Sequence, residues 1–284
     1  MHRLFIICLV AFLALQTRPL SAAAMTSDKP FEVGVIPYIS ARTLVSSYEP
    51  MRLYLEKVLS RPVKFYSSTN FKSFFQNAQR GDYDLIITAA HFARILQKDN
   101  QFIPLVRYAT GGRGLVVTAL DSPIKTLQSL RGKVIAVPDK ISLAAIVCLT
   151  YLRENDLESG SDFLVLEVPS FASAILSMQK NEANAAISST GALAQMPKPL
   201  SESVKPVVDA GEYTSLIFLA HPRLGKTTNQ LINSALLKFG NESVEGKQFF
   251  SSNGFGTIVP VTQKEMSNLD QYVAETKRLM EEAP

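Results

Sequence analysis

From Phe31 onward the chain alternates short apolar runs with stretches whose apolar residues recur at helical spacing. FEVGVIPY (31–38) and PVKFYS (62–67) read as strands, and SYEPMRLYLEKVLS (47–60) between them sets Met51, Leu55, Val58 and Leu59 on one helical face. Phe71, Phe74, Phe75 and Ala78 then recur at i, i+3, i+4 and i+7. DLIIT (84–88) runs into AHFARILQK (90–98), and FIPLVRYA (102–109) and LVVTAL (115–120) follow as strands. Two further strand-helix units are KVIAVPD into SLAAIVCLTYLREN and FLVLEVP into SFASAILSMQKNE, before a short strand AAISS (185–189). After the pattern changes near Asp209, SLIFLA (215–220) returns as a strand ahead of three helical segments. Leu231, Ile232, Ala235, Leu236 and Phe239 mark the first, and Thr262 with Glu265 has capping-box spacing at the head of the last, which is expected to reach Glu282.

Such alternation predicts an α/β protein with mainly parallel sheets flanked by helices. The Gly-rich passage 111–114 and the polar passage 209–214 are the natural crossings between two lobes. They predict a discontinuous first lobe, 31–113 plus 217–284, and an inserted second lobe, 114–216, joined by a two-segment hinge.

Ahead of this pattern, Arg3, an apolar run from Leu4 to Leu15 and the small residues Ala22-Ala23-Ala24 have the layout of a secretory leader, residues 1–24, cut near Ala24. The run is too short to span a bilayer, so no stable membrane insertion is expected. Losing the leader removes two of the 29 basic residues and none of the 25 acidic ones, which leaves a balance near neutral and no argument for a nucleic-acid partner. One cysteine then remains, Cys148, in an apolar helical run where it reads as packing. With no internal disulfide available, stability must come from buried apolar surface.

Candidate chemistry is sparse. HPRLGKTTNQL (221–231) contains the Gly-Lys-Thr that ends a nucleotide-binding loop, but the loop's first glycine would fall at Ala220, so Thr227 or Thr228 reads instead as the cap of a helix beginning near Asn229. There is no G-x-S-x-G elbow and no H-E-x-x-H, and past the leader only His91 and His221 remain, too far apart in sequence to suggest a metal site. An enzyme, a cofactor and a bound metal are therefore not expected. What recurs is a hydroxyl at the strand-to-helix turns: Ser40, Ser46 and Ser47 after the first strand, then Thr88, Ser142, Ser170, and Ser189 with Thr190. In an open parallel sheet these turns share the edge where ligands bind, and helix N-termini there favour an anion without a charged side chain.

Four segments, VGVIPY (33–38), GDYDLIIT (81–88), DSPIKTLQSLRGKVIAVPD (121–139) and FGTIVPVTQKEM (255–266), resemble the periplasmic phosphate/phosphonate-type solute-binding proteins of ABC transporters. The resemblance implies the two-lobed type II periplasmic-binding-protein fold, a small anionic solute captured between the lobes, and an ABC permease as partner. The alternative is a periplasmic sensing subunit that signals to a membrane histidine kinase or chemoreceptor. A monomer is expected. The ligand-binding set expected from these turns and the cleft beside them is Tyr38, Thr88 and His91 from the first lobe with Ser142, Ser170, Ser189 and Thr190 from the second, and Arg113 is a further cation that could meet an anion. The chain departs from the family at Lys140-Ile141-Ser142-Leu143, where only Ser142 matches a Ser-Thr-Ser-Gly-like turn. It departs again at Phe171 in place of a histidine, at Asn184 in place of an acid and at Phe71 in place of a tyrosine.

Overall fold

The structure, a computed structural model, describes residues 29–282, so the expected leader lies outside the described residues. The chain begins with β1 (Phe31–Val35), α1 (Ala41–Leu59), β2 (Val63–Tyr66), α2 (Phe71–Gln79), β3 (Leu85–Thr88), α3 (Ala90–Asn100) and β4 (Ile103–Tyr108). It continues through β5 (Gly112–Ala119), β6 (Val134–Pro138), α4 (Leu143–Glu154), β7 (Leu164–Val168), α5 (Phe171–Gln179), β8 (Ala185–Ser189), α6 (Thr190–Gln195), α7 (Lys198–Ser201) and β9 (Val204–Tyr213). It ends with β10 (Ile217–Ala220), α8 (Gly225–Asn241), α9 (Val244–Asn253), β11 (Ile258–Pro260), α10 (Gln263–Asn268) and α11 (Asp270–Glu282).

Two sheets result, ordered β2-β1-β3-β10-β4-β11 and β7-β6-β8-β5-β9. Each has a parallel core, β2-β1-β3 or β7-β6-β8, built from the strand-helix units. Antiparallel strands complete each sheet, among them those that carry the chain from one sheet to the other. The helices cover both faces, which is why a core strand such as β3 is buried at all four positions. Phe31, Val33 and Val35 of β1 pack with Tyr48, Phe218, Phe239 and Phe250 on one face of the first sheet. Ile86 and Ile217 pack with Phe74, Phe75 and Phe92 on the other. Fully burying each such phenylalanine contributes about 1.5–3 kcal/mol. Ile141, Leu143 and Val147, around the start of α4 in the second half, join this latter cluster, so the two halves are packed together beside the site.

Several expectations are corrected. Helix α1 starts at Ala41 rather than near Ser47: Leu44 and Tyr48 extend the buried face of Met51 and Leu55, and Pro50 is carried inside the helix. Ser46 and Ser47 therefore sit in the helix and not at the turn, while Ser40 caps it. Helix α8 starts at Gly225 without a side-chain cap, after a short 3-10 turn over Pro222–Leu224 capped by His221. Thr227 and Thr228 lie within α8, so neither caps it. Four helices rather than three follow β10, because α8 is succeeded by α9 and the C-terminal segment breaks at Leu269 into α10 and α11. The capping box at Thr262 and Glu265 is formed. The edge strand β9 and the three-residue β11 were not anticipated.

Candidate functional site

The carboxyl ends of the parallel strands in both sheets meet around a cavity of about 310 Å³. Ile36 and Tyr38 reach it from the turn after β1, Phe71 from the start of α2 and Ala89 from the turn after β3. The second half contributes Ser142, Leu143 and Ala144 at the head of α4, Phe171 at the head of α5, and Ser189 to Ala192 where β8 becomes α6. The crossing segments close the sides through Thr110 to Gly112 and Tyr213 to Leu216, with Phe255 beyond. Gly112 is required here, because a Cβ on it would lie 2.5 Å from the ring of Tyr213.

The serines at these turns are caps, as their local sequence implies. Ser142 Oγ accepts the N–H of Ala145 (3.2 Å) and donates to the carbonyl of Pro138 (3.1 Å). Ser170 Oγ accepts the N–H of Ser173 (3.1 Å), and Ser189 Oγ accepts that of Ala192 (3.1 Å). Caps of this kind hold one amide and leave the other first-turn amides without a helical acceptor. At α4 those are the amides of Leu143 and Ala144, both on the cavity wall. Helix α3 has no side-chain cap at all, since its cap position is Ala89.

Of the seven residues expected to bind ligand, Tyr38, Ser142, Ser189 and Thr190 line the cavity. Ser170 lines an adjoining groove that also contains Tyr38 and Phe171. Thr88 and His91 are fully buried and do not line either space. His91 Nε2 donates to the carbonyl of Ile141 (2.9 Å), tying α3 to the turn before α4, and its ring stacks on Phe92. Burial pushes the imidazole down to about 4, against a smaller opposing contribution from that hydrogen bond, so the ring is neutral. Thr190 Oγ1 accepts the backbone N–H of Arg113 (3.1 Å).

Tyr38 turns its hydroxyl into the protein, 3.1 Å from that of Tyr48, which lies 2.7 Å from that of Tyr108. Burial raises the pKa of all three phenols well above the ordinary tyrosine value, so they stay protonated. The Arg113 guanidinium is held by Asp209 and Glu212 at 2.8 Å each and is not part of the cavity wall. Cys148 is buried against Gly114, and burial pushes its thiol up. Asn184 sits at the opposite end of its sheet, where Oδ1 accepts the N–H of Val134 (2.9 Å) at the start of β6.

Thr110, Gln195, Tyr213, Thr214, Ser215 and Phe255 are wall residues that sequence reasoning did not single out as ligand contacts. The only signal for most of them was their place in or near the two crossings. Burial raises the Tyr213 phenol to about 12, opposed by a hydrogen bond with Ser189. No lysine, arginine, histidine, aspartate or glutamate is among the described residues lining the cavity. Its polarity comes from hydroxyls, one amide side chain and backbone groups.

Known proteins share this architecture. A binding protein component of an ABC phosphonate transporter from Pseudomonas aeruginosa superposes with a TM-score of 0.78 at 14% identity, over 89% of this chain and 88% of that one. PhnD1 from Prochlorococcus marinus, in complex with methylphosphonate, gives 0.76 at 16% identity over 88% and 99%. The periplasmic aliphatic sulphonate binding protein of Escherichia coli gives 0.63 at 16% identity over 89% and 93%. These likenesses establish the type II periplasmic-binding-protein fold. The family model for the phosphonate ABC transporter's periplasmic substrate-binding protein matches residues 33–266. With most of its length inside that match, the chain belongs to the periplasmic substrate-binding proteins of phosphonate ABC transporters.

Proposed function

We propose that this protein is a non-enzymatic receptor that captures a small phosphonate-like oxyanion and hands it to an ABC permease. The observation that carries the reading is the meeting of the α4 N-terminus with the hydroxyls of Ser142, Ser189 and Thr190 in one cavity at the strand ends. Amides at such a terminus offer donors and a positive dipole end to an oxyanion. In this reading residues 31–113 plus 217–284 and residues 114–216 are lobes that open and close about the segments at 111–114 and 209–214. A ligand that touches both lobes only when they are closed favours the closed form. Export by the leader cut near Ala24 brings the monomeric receptor to the periplasm, and the family favours transport over the sensing role.

The test is unfolding of the pure protein with methylphosphonate, phosphate or phosphite. A ligand at 100 times its Kd adds about 2.7 kcal/mol to stability. Stabilisation by at least one phosphorus oxyanion is expected, and none by any of them would overturn the ligand class. Turnover of a bound candidate would overturn the receptor assignment.

A further inference from the structure

The cavity adjoins a groove of about 800 Å³, with which it shares Tyr38, Phe171, Ala192 and Gln195. Two features of this path bear on what occupies it. The first is charge. No ionisable side chain of Asp, Glu, Lys, Arg or His is among the described residues lining either space, in a chain of which 19% is Asp, Glu, Lys or Arg. A buried dianion would then face only helix-end partial charges, about half an elementary charge each, and burying an unpaired charge is costly. An ammonium on the ligand would find no carboxylate.

The second feature is the groove wall. Leu44, Phe65 and Met196 line it, and so do Val45 and Tyr66, which are 61% and 39% exposed. Its serine and threonine hydroxyls are mostly engaged within the protein. Ser40 bonds Thr43, Ser67 Oγ donates to the Val35 carbonyl, Ser68 accepts from Asn77, and Ser170 bonds Ser173. Most of the surface that the groove offers is carbon, with polar atoms making up the rest. The inner cavity has its own aromatic walls, Phe71, Phe171, Tyr213 and Phe255. Its 310 Å³ is room for many waters, since about 10–15 Å³ of such space holds one.

We propose that the ligand is an alkylphosphonate bound as its monoanion, its head at the α4 N-terminus and its uncharged alkyl chain running past Tyr38 and Phe171 into the outer groove. The inference rests on the oxyanion-receptor reading above and narrows it. An apolar chain in that path removes carbon surface from water on both sides, which is worth about a fourfold gain in affinity per methylene.

Calorimetry on the full mature protein with methyl-, ethyl-, butyl- and octylphosphonate and with 2-aminoethylphosphonate tests it. Affinity is expected to rise by about fourfold per methylene from methyl to butyl, and the aminoethyl compound is expected to bind more weakly than ethylphosphonate. At about pH 9, where a free phosphonate is mainly a dianion, binding is expected to take up about one proton, read from enthalpies in two buffers. Val45→Asp, on the α1 wall, and Met196→Lys, on the opposite wall, should each flatten the chain-length series. Binding of methylphosphonate with no gain along the series overturns the inference and leaves the receptor reading standing. So does a tighter aminoethyl ligand, absence of proton uptake, or a series unchanged in both variants. No binding by any member overturns both.

Discussion

The buried imidazole of His91 makes a quantitative claim about acid stability. In the native protein it is neutral, with burial pushing it down to about 4, while in the unfolded chain it titrates near 6.5. Between those values the unfolded state holds a proton that the native state does not, so stability falls as pH falls through this window. Each pH unit is worth about 1.4 kcal/mol. The group thus removes about 2 kcal/mol between pH 7 and pH 5, approaching about 3 kcal/mol near pH 4. His91→Gln keeps an N–H donor near the Ile141 carbonyl but cannot titrate. Urea unfolding of both proteins at pH 7, 6 and 5 separates this contribution from the rest, because every other titrating group is common to the two. Burial also lowers the His221 pKa, which therefore acts in the same direction and cancels in the comparison. The variant is expected to start less stable, having lost the stack on Phe92, and to lose about 2 kcal/mol less than the wild type on going to pH 5. Parallel pH profiles for the two proteins would show that His91 is not the buried neutral link drawn here.

Three further outcomes follow from single contacts. Ser142→Ala removes the cap on α4 and the bond to Pro138, so it is expected to lower stability by about 1 kcal/mol in urea titrations and to weaken methylphosphonate binding by calorimetry. Unchanged affinity would detach the α4 terminus from the site. Gly246→Ala would set a methyl group 1.8 Å from the backbone carbonyl oxygen of Phe239, where α9 packs on α8, and is expected to cost about 3 kcal/mol or more in the same assay. Cys148, buried with its thiol pushed up, is expected to resist Ellman's reagent in native buffer and to react at once in denaturing urea. Rapid reaction of the native protein would place the thiol at a surface.

How far the sequence disclosed this arrangement depended on whether a feature was local. β3 and β6 were legible because strands covered on both faces read as unbroken apolar runs. β9 was not, since it lies at a sheet edge, pairs only with β5 and carries Lys205, Pro206, Asp209 and Glu212. The start of α1 was obscured by Pro50, which reads as a first-turn residue until the burial of Leu44 and Tyr48 is known. At the site, Ser142, Ser170 and Ser189 were recognisable because a cap is set by three or four consecutive residues. Thr88 and His91 occupy the same kind of turn yet are fully buried, Thr88 paired with Ile217 in its own sheet and His91 bonded to Ile141 of the other half of the chain. Thr110, Thr214 and Phe255 are brought together from three distant segments, and no local pattern marks them as neighbours.

The scaffold and the ligand wall answer to different constraints, which explains why one kept the family's signature and the other departed from it. Segments such as 81–88 and 121–139 build sheet cores and turns, where buried apolar residues and caps tolerate few alternatives. In the receptor proposed above, backbone amides hold the oxyanion, and those persist whatever side chains surround them. Side chains at the wall are then free to select the rest of the ligand. Here Phe71 and Phe171 present rings to the cavity, while Asn184 is occupied in joining two strands at the far end of its sheet. At Phe71 and Phe171 ring surface thus stands where the resemblance implies a phenol and an imidazole, whereas Asn184 has no place at the cavity. In the receptor proposed above, discrimination comes from excluding charged substituents, since a ligand bearing a second charge would leave it buried and unpaired.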